Sequence, residues 1–121
     1  MMVTETDVRR IALELPGAYE QPSYGGRPSW RTEPRIFAWI PDDPYGLVVW
    51  VESLTAKETV LASDPEKFFT TSHYNGYPVV LVDLDSIDVQ ELAELIRRSW
   101  SLRAPRSVVS KWKRDHAGDA L

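Results

Sequence analysis

The residues best suited to covalent chemistry sit together in Ser72-His73-Tyr74. A hydroxyl beside an imidazole, with Asp83 or Asp85 further along, is the raw material of a Ser/His/Asp relay, in which the ring takes the hydroxyl proton and the carboxylate fixes its tautomer. The flanking residues do not form the elbow that exposes such a serine, and a turn histidine bonded to backbone accounts for the same residues. Asp83, Asp85, Asp88, Glu91 and Glu94 have the charge for a hard cation but lack the Gly and the ligand spacing of an EF-hand loop. Acids there also complement the start of a helix. Gly25-Gly26-Arg27 offers the glycines of a phosphate loop, yet no Lys-Ser/Thr follows and no strand is predicted before it. With no cysteine in the chain, thiolate nucleophiles, disulfides and Cys-based metal sites are excluded. The sequence therefore predicts no enzyme, no catalytic residue, no metal and no cofactor.

Recognition chemistry is better represented. A nucleic-acid surface needs cations that displace phosphate counterions and planar or hydrogen-bonding groups that meet bases. Trp30, Arg31 and Arg35 supply one such group, and Arg103, Arg106, Lys111, Lys113 and Arg114 another. Seven of the 14 basic residues fall between Arg97 and Arg114, a stretch with no acid, directly after the acidic run of Asp83 to Glu94. The same cations would also complement a helix C-terminus. Trp39 and Trp50 are of the type more often found in cores than as stacking platforms. The whole chain carries a net charge of −4, which opposes attraction to a polyanion and leaves a second class open, a small protein-interaction domain that meets its partner through exposed Trp and Tyr residues. A third is a ligand groove lined by Tyr19, Tyr24, His73 and Tyr74.

These side chains need elements to position them. The chain's 121 residues, 43% hydrophobic and 26% charged, suit one domain with its own core. We expect that domain over residues 1–115 and a flexible tail over 116–121. No apolar run reaches the roughly 18 residues of a membrane span, and MMVTETDVRR lacks a signal-peptide core, so a cytoplasmic location and no membrane partner are expected. Thr4 and Asp7 form a capping box ahead of Val8, Ile11, Ala12 and Leu15, and Pro16-Gly17 ends that helix. Residues 18–28 read as an irregular loop. Strands are predicted at about 28–32, 35–40 and 46–52, joined by short turns as an antiparallel meander. Within the second, Ile36, Ala38 and Ile40 share one face, and Phe37 and Trp39 the other. A helix marked by Thr55 and Glu58 follows, then a fresh helix start at Ser63-Asp64-Pro65-Glu66, a turn at Ser72–Gly76 and a doubly buried strand from Tyr77 to Leu84. Ser86 is placed to cap a helix with the stripe Val89, Leu92, Ala93, Ile96 and Trp100, and after Pro105 a last helix carries Val108, Val109 and Trp112.

Several local patterns resemble the MmcQ/YjbR family over nearly the whole chain. They are Leu15-Pro16-Gly17-Ala18 with Glu20, the strand Arg35-Ile36-Phe37-Ala38-Trp39, Asp64-Pro65-Glu66-Lys67 after the meander, and a closing helix ending in Ser99-Trp100-Ser101-Leu102. The resemblance implies an α+β fold with an antiparallel sheet packed against N-terminal and C-terminal helices, a bacterial source, and a non-enzymatic, DNA-binding and regulatory role that rests on a double-wing sheet surface. Where many members carry a His-Met-Asn-Lys-type turn, this chain has His73-Tyr74-Asn75-Gly76-Tyr77 and so lacks one phosphate-reaching lysine.

Overall fold

Caps and turn residues set the order of elements in the computed structural model, which describes residues 3–33 and 35–116, without the side chain of Tyr24. Helix α1 (Glu5–Leu13) starts at the expected capping box, with the Thr4 hydroxyl accepting from the Asp7 N–H and the Asp7 carboxylate accepting from the Thr4 N–H. Strands β1 (Tyr19–Pro22), β2 (Pro28–Thr32), β3 (Arg35–Trp39) and β4 (Leu47–Trp50) then form an antiparallel meander. Helix α2 (Leu54–Ser63) leads to the two-residue β5 (Phe68–Phe69), followed by β6 (Val79–Val82), α3 (Val89–Arg103) and α4 (Arg106–Asp115). The strand order β1-β2-β3-β4-β6-β5 places β6, buried throughout, between β4 and the short edge strand. The expected α+β class is thus the observed one. The expected flexible tail lies, apart from His116, outside the described residues.

Three expectations are corrected. Residues 19–22, expected as loop, are an edge strand; all four are exposed, so the period-2 apolar signal that marks a half-buried strand is missing. Ser63-Asp64-Pro65-Glu66 starts no helix. The Asp64 side chain accepts from the Glu66 N–H and its carbonyl from Lys67 and Phe68, closing a single turn, after which Phe68 and Phe69 pair with Val82 and Leu81. Asp88 rather than Ser86 caps α3, accepting from the Glu91 N–H, while the Ser86 hydroxyl donates to Asp83.

Strand alternation divides the sheet into a covered and an open face. Ala38, Ile40, Leu47, Val49, Val80 and Val82 point to the main core, where they meet Val8, Ile11, Leu92, Ile96, Trp100, Val109 and Trp112 of α1, α3 and α4. Val48, Val79 and Leu81 point the other way, with Trp39, Trp50, Phe69 and Tyr74 packed on them. Phe37 breaks the expected pattern. The register runs from Trp30↔Ala38 to Arg31↔Ile36, so Phe37 is the extra residue of a bulge and lies in the main core, on the opposite face from Trp39.

Beyond Ala38 β3 is no longer paired with β4, and α3 fills the gap. Regular pairing stops at Ala38↔Val49. Where Phe37 and Trp50 would pair next, the fully buried Ser99 donates to the Phe37 carbonyl at 2.5 Å and accepts from the Trp50 N–H at 2.8 Å. One turn on, Arg103 Nε donates to the Ile36 carbonyl at 3.2 Å. Two α3 side chains therefore stand in for missing ladder bonds, which is the physical content of the Ser99 position in the closing helix.

At the other edge Glu20 ties β1 to α1 and β2. Its carboxylate accepts from Arg9 Nε at 2.6 Å and Arg9 Nη2 at 3.0 Å, and from the indole N–H of the fully buried Trp30 at 3.0 Å. The Arg9 contact, aided by Trp30, holds the Glu20 carboxyl below its ordinary range against the opposing effect of burial. A carboxylate with a depressed folded pKa contributes stability above its unfolded value and loses it as pH falls through the folded one. Glu20→Gln is therefore expected to lower the urea midpoint at pH 7, with the gap to wild type closing below about pH 4.3. A gap that stayed constant down to pH 3 would show that the ion pair adds nothing to folding.

Candidate functional site

The open face carries the side chains that are free to meet another molecule. Trp39 and Trp50, both half-buried, form with His73, Tyr74, Tyr77 and Val79 the lining of a recess of about 280 Å³. Trp39 and Tyr74 lie 6.2 Å apart with rings tilted by 57°, and His73 meets Tyr74 edge-on at 4.9 Å. Tyr77 stands at the recess with 58% of its surface exposed.

A buried lysine fixes one wall. Lys57, on α2, donates from Nζ to the carbonyls of Tyr74 at 2.8 Å and Tyr77 at 2.9 Å, and burial pushes its ammonium below the ordinary lysine range. Both carbonyls also accept backbone N–H groups, from Tyr77 and Val79 respectively. The segment carrying two of the recess aromatics is thereby latched to the fold rather than lying loose on the sheet. Nothing in the sequence marked Lys57, because a lysine on a helix of mixed polarity resembles any solvated cation.

Cations gather beside the recess at the open end of β3. The Arg103 guanidinium lies over the Trp50 ring with its carbon 4.0 Å from the centroid, within the range of a cation–π contact. Burial first, and the nearby charge of Arg35 second, push it below its ordinary value. Arg31 pairs in register with Ile36, the residue whose carbonyl Arg103 holds, and donates to Ser29, its neighbour on the open face. Among the described residues none of these three arginines has a carboxylate within ion-pair distance, whereas Arg9, Arg10, Arg27, Lys67, Arg98 and Lys111 all do. The Trp50 indole N–H is buried without a partner among the described residues, a cost of about 1–3 kcal/mol that an acceptor reaching it would remove.

The structure separates the sequence's candidates. Arg35 and Arg103 come near each other, and Arg31 pairs with Ile36, the residue whose carbonyl Arg103 holds. Trp30 does not join them, being fully buried and bonded to Glu20, so it has no face for a base. Arg106, Lys111, Lys113 and Arg114 belong to α4, whose Val109 and Trp112 pack into the main core on the covered side of the sheet, and Lys111 is paired with Asp115 at 3.0 Å. In the expected ligand groove His73 and Tyr74 do line a recess, but Tyr19 is on β1 at the far edge, and the side chain of Tyr24 lies outside the described residues. The sequence reading passed over Trp39 and Trp50 as platforms because tryptophan is by type more often a core residue, whereas both are half-buried on the open face. The acidic run is used locally: Asp83 holds the turn to Ser86, Asp88 caps α3 and Glu91 pairs with Lys67 at 2.6 Å. Among the described residues no three metal-ligating side chains converge, and no helix is long and apolar enough to cross a membrane.

Comparison with known proteins places this architecture. The family profile named YjbR matches residues 13–102. The uncharacterized protein Rv2570 of Mycobacterium tuberculosis is 34% identical over 125 aligned positions, covering 89% of this chain and 94% of the relative, and the uncharacterized protein Mb2600 of Mycobacterium bovis matches to the same extent. The crystal structure of Deinococcus radiodurans protein DR2400, with the domain DUF419, superposes with a TM-score of 0.73 at 24% identity, covering 99% of this chain and 93% of that one.

Proposed function

The chain belongs to the YjbR family, and from that premise and the chemistry of its open sheet face we propose that it is a non-enzymatic DNA-binding protein. The single observation that carries this reading is Arg103 placed over the Trp50 ring with the charge of Arg35 near it, both without a carboxylate in ion-pair distance among the described residues, at the edge of the recess that Trp50 lines with Trp39. Elsewhere in this acidic chain many cations are neutralised in place, so unpaired ones next to exposed rings suit phosphate and base. The salt dependence should be modest. About three phosphate contacts give a slope of log K against log salt near −3 on duplex and −2 on a single strand. An acidic chain with so few contacts should bind in the micromolar range.

The test is a fluorescence-anisotropy titration of labelled DNA at low and near-physiological salt. Arg31→Gln/Arg35→Gln is expected to weaken binding about tenfold and flatten the salt slope, while Lys113→Gln/Arg114→Gln on α4 stays within about twofold of wild type. Absence of binding at low salt would sink the proposal. The exposure of Tyr77 and the net charge of −4 would then favour the second reading, a protein-interaction domain using the same aromatic face.

A further inference from the structure

We propose that the recess of the open face receives one unpaired base, so that the preferred ligand is a single strand rather than a duplex; this rests on the DNA-binding reading above and narrows it. A volume of about 280 Å³ lies at the small end of ligand pockets, near 300 Å³, and suits one planar ring system. The rings around it, Trp39, Trp50, Tyr74 and Tyr77, are the side chains on which unpaired bases stack, tolerant of sequence because every base has a π-face. Charge complementarity sets the rest of the strand. With its guanidinium carbon 4.0 Å from the Trp50 centroid, Arg103 puts positive charge beside the ring that would stack, where a nucleotide carries its phosphate. The latch from Lys57 to Tyr74 and Tyr77 keeps the recess formed before binding, so little ordering opposes it.

A duplex meets this surface poorly. Its bases are stacked and paired, and filling the recess would require flipping one out, with the loss of its pairing and stacking. A duplex also carries the denser charge, about one negative charge per 1.7 Å of axis, and so feels the net −4 of the protein more strongly.

The same labelled strand, its duplex and an abasic strand of equal length are titrated against the full chain and against Tyr77→Ala and His73→Ala, both exposed positions whose replacement leaves the core untouched. The expected result is single-strand binding at least tenfold tighter than duplex, loss of most affinity on the abasic strand, and a fivefold or greater weakening in Tyr77→Ala with unchanged circular dichroism. Duplex binding as tight as single-strand, or abasic binding equal to the intact strand, overturns the inference and leaves DNA binding standing. Binding to none of the three overturns both.

Discussion

Ser99→Ala is expected to lower the free energy of unfolding by about 3 kcal/mol, seen as a lower urea midpoint at unchanged slope. The hydroxyl it removes is completely buried and serves the Phe37 carbonyl and the Trp50 N–H together. Each backbone group left buried and unpaired costs about 1–3 kcal/mol, and the β3–β4 ladder ends at Ala38↔Val49, so Phe37 and Trp50 do not satisfy each other. Against a typical total of about 5–15 kcal/mol that is a large fraction. Ser101→Ala is the control: its hydroxyl only bonds back to the Arg98 carbonyl on the same helix, and surface changes of this kind stay within about 0.5 kcal/mol. If Ser99→Ala matched the control, the strands would have to close on each other and the α3 side chains could not be substituting for ladder bonds. Because Trp50 and Arg103 flank the same gap, the variant should also weaken the proposed DNA binding at temperatures where it is still folded.

Local signals carried the fold where one principle acted alone. The Thr4–Asp7 capping box and the three-strand meander could be read from spacing and are present, and of the expected α3 stripe Leu92, Ile96 and Trp100 are buried while Val89, at the first residue of the helix, is exposed. The misplaced features are those where tertiary pairing overrides a local pattern. Tyr19–Pro22 is a strand only because β2 offers it a register. Asp64-Pro65-Glu66 has the residues of a helix start, but Phe68 and Phe69 just beyond pair with β6 as an edge strand, with Phe68 buried. The bulge is the costliest loss to a sequence reading. One extra residue at Phe37 reverses the face assignment of half a strand, and nothing in Arg35-Ile36-Phe37-Ala38-Trp39 marks where it falls.

The candidate site was legible in its ingredients and not in its assembly. Arg31, Arg35, Arg103, His73 and Tyr74 all stood out by type, but only the sheet brings Arg103 to the carbonyl of Ile36, 67 positions earlier. The C-terminal cations look like one group in sequence because the acid-free stretch is continuous. Pro105 divides them: Arg103 ends α3 at the open end of β3, whereas Lys111 to Arg114 ride on α4 over the main core. The net charge of −4 bears on the proposed site less than it seemed to, since carboxylates near Arg9, Arg27, Lys67 and Arg98 are engaged there and Arg103, over the Trp50 ring, has none within ion-pair distance among the described residues.

Trp100→Ala is expected to be the most damaging single change, at about 4 kcal/mol, within the usual range of about 3–5 kcal/mol for deleting a buried aromatic. The ring has no exposed surface, its indole N–H donates to the Pro16 carbonyl at 3.1 Å, and Trp112 meets it edge-on with centroids 5.7 Å apart. It therefore joins the end of α1, the body of α3 and the buried side of α4. Trp100→Phe keeps much of the volume but leaves Pro16 without its donor, and should cost about half as much. Loss of the edge partner should also free α4 first, so that amides of Val109 and Trp112 exchange faster in Trp100→Ala than those of β4 and β6. A cost below about 1 kcal/mol, or uniform exchange, would contradict the assignment of Trp100 as the joint. The recess lies on the other face of the sheet, so DNA affinity per folded molecule should be unchanged in Trp100→Phe. Stability and binding can in this way be separated: Trp100 reports on the covered face, Tyr77 on the open one, and Ser99, at the gap between β3 and β4, is the position where both should move together.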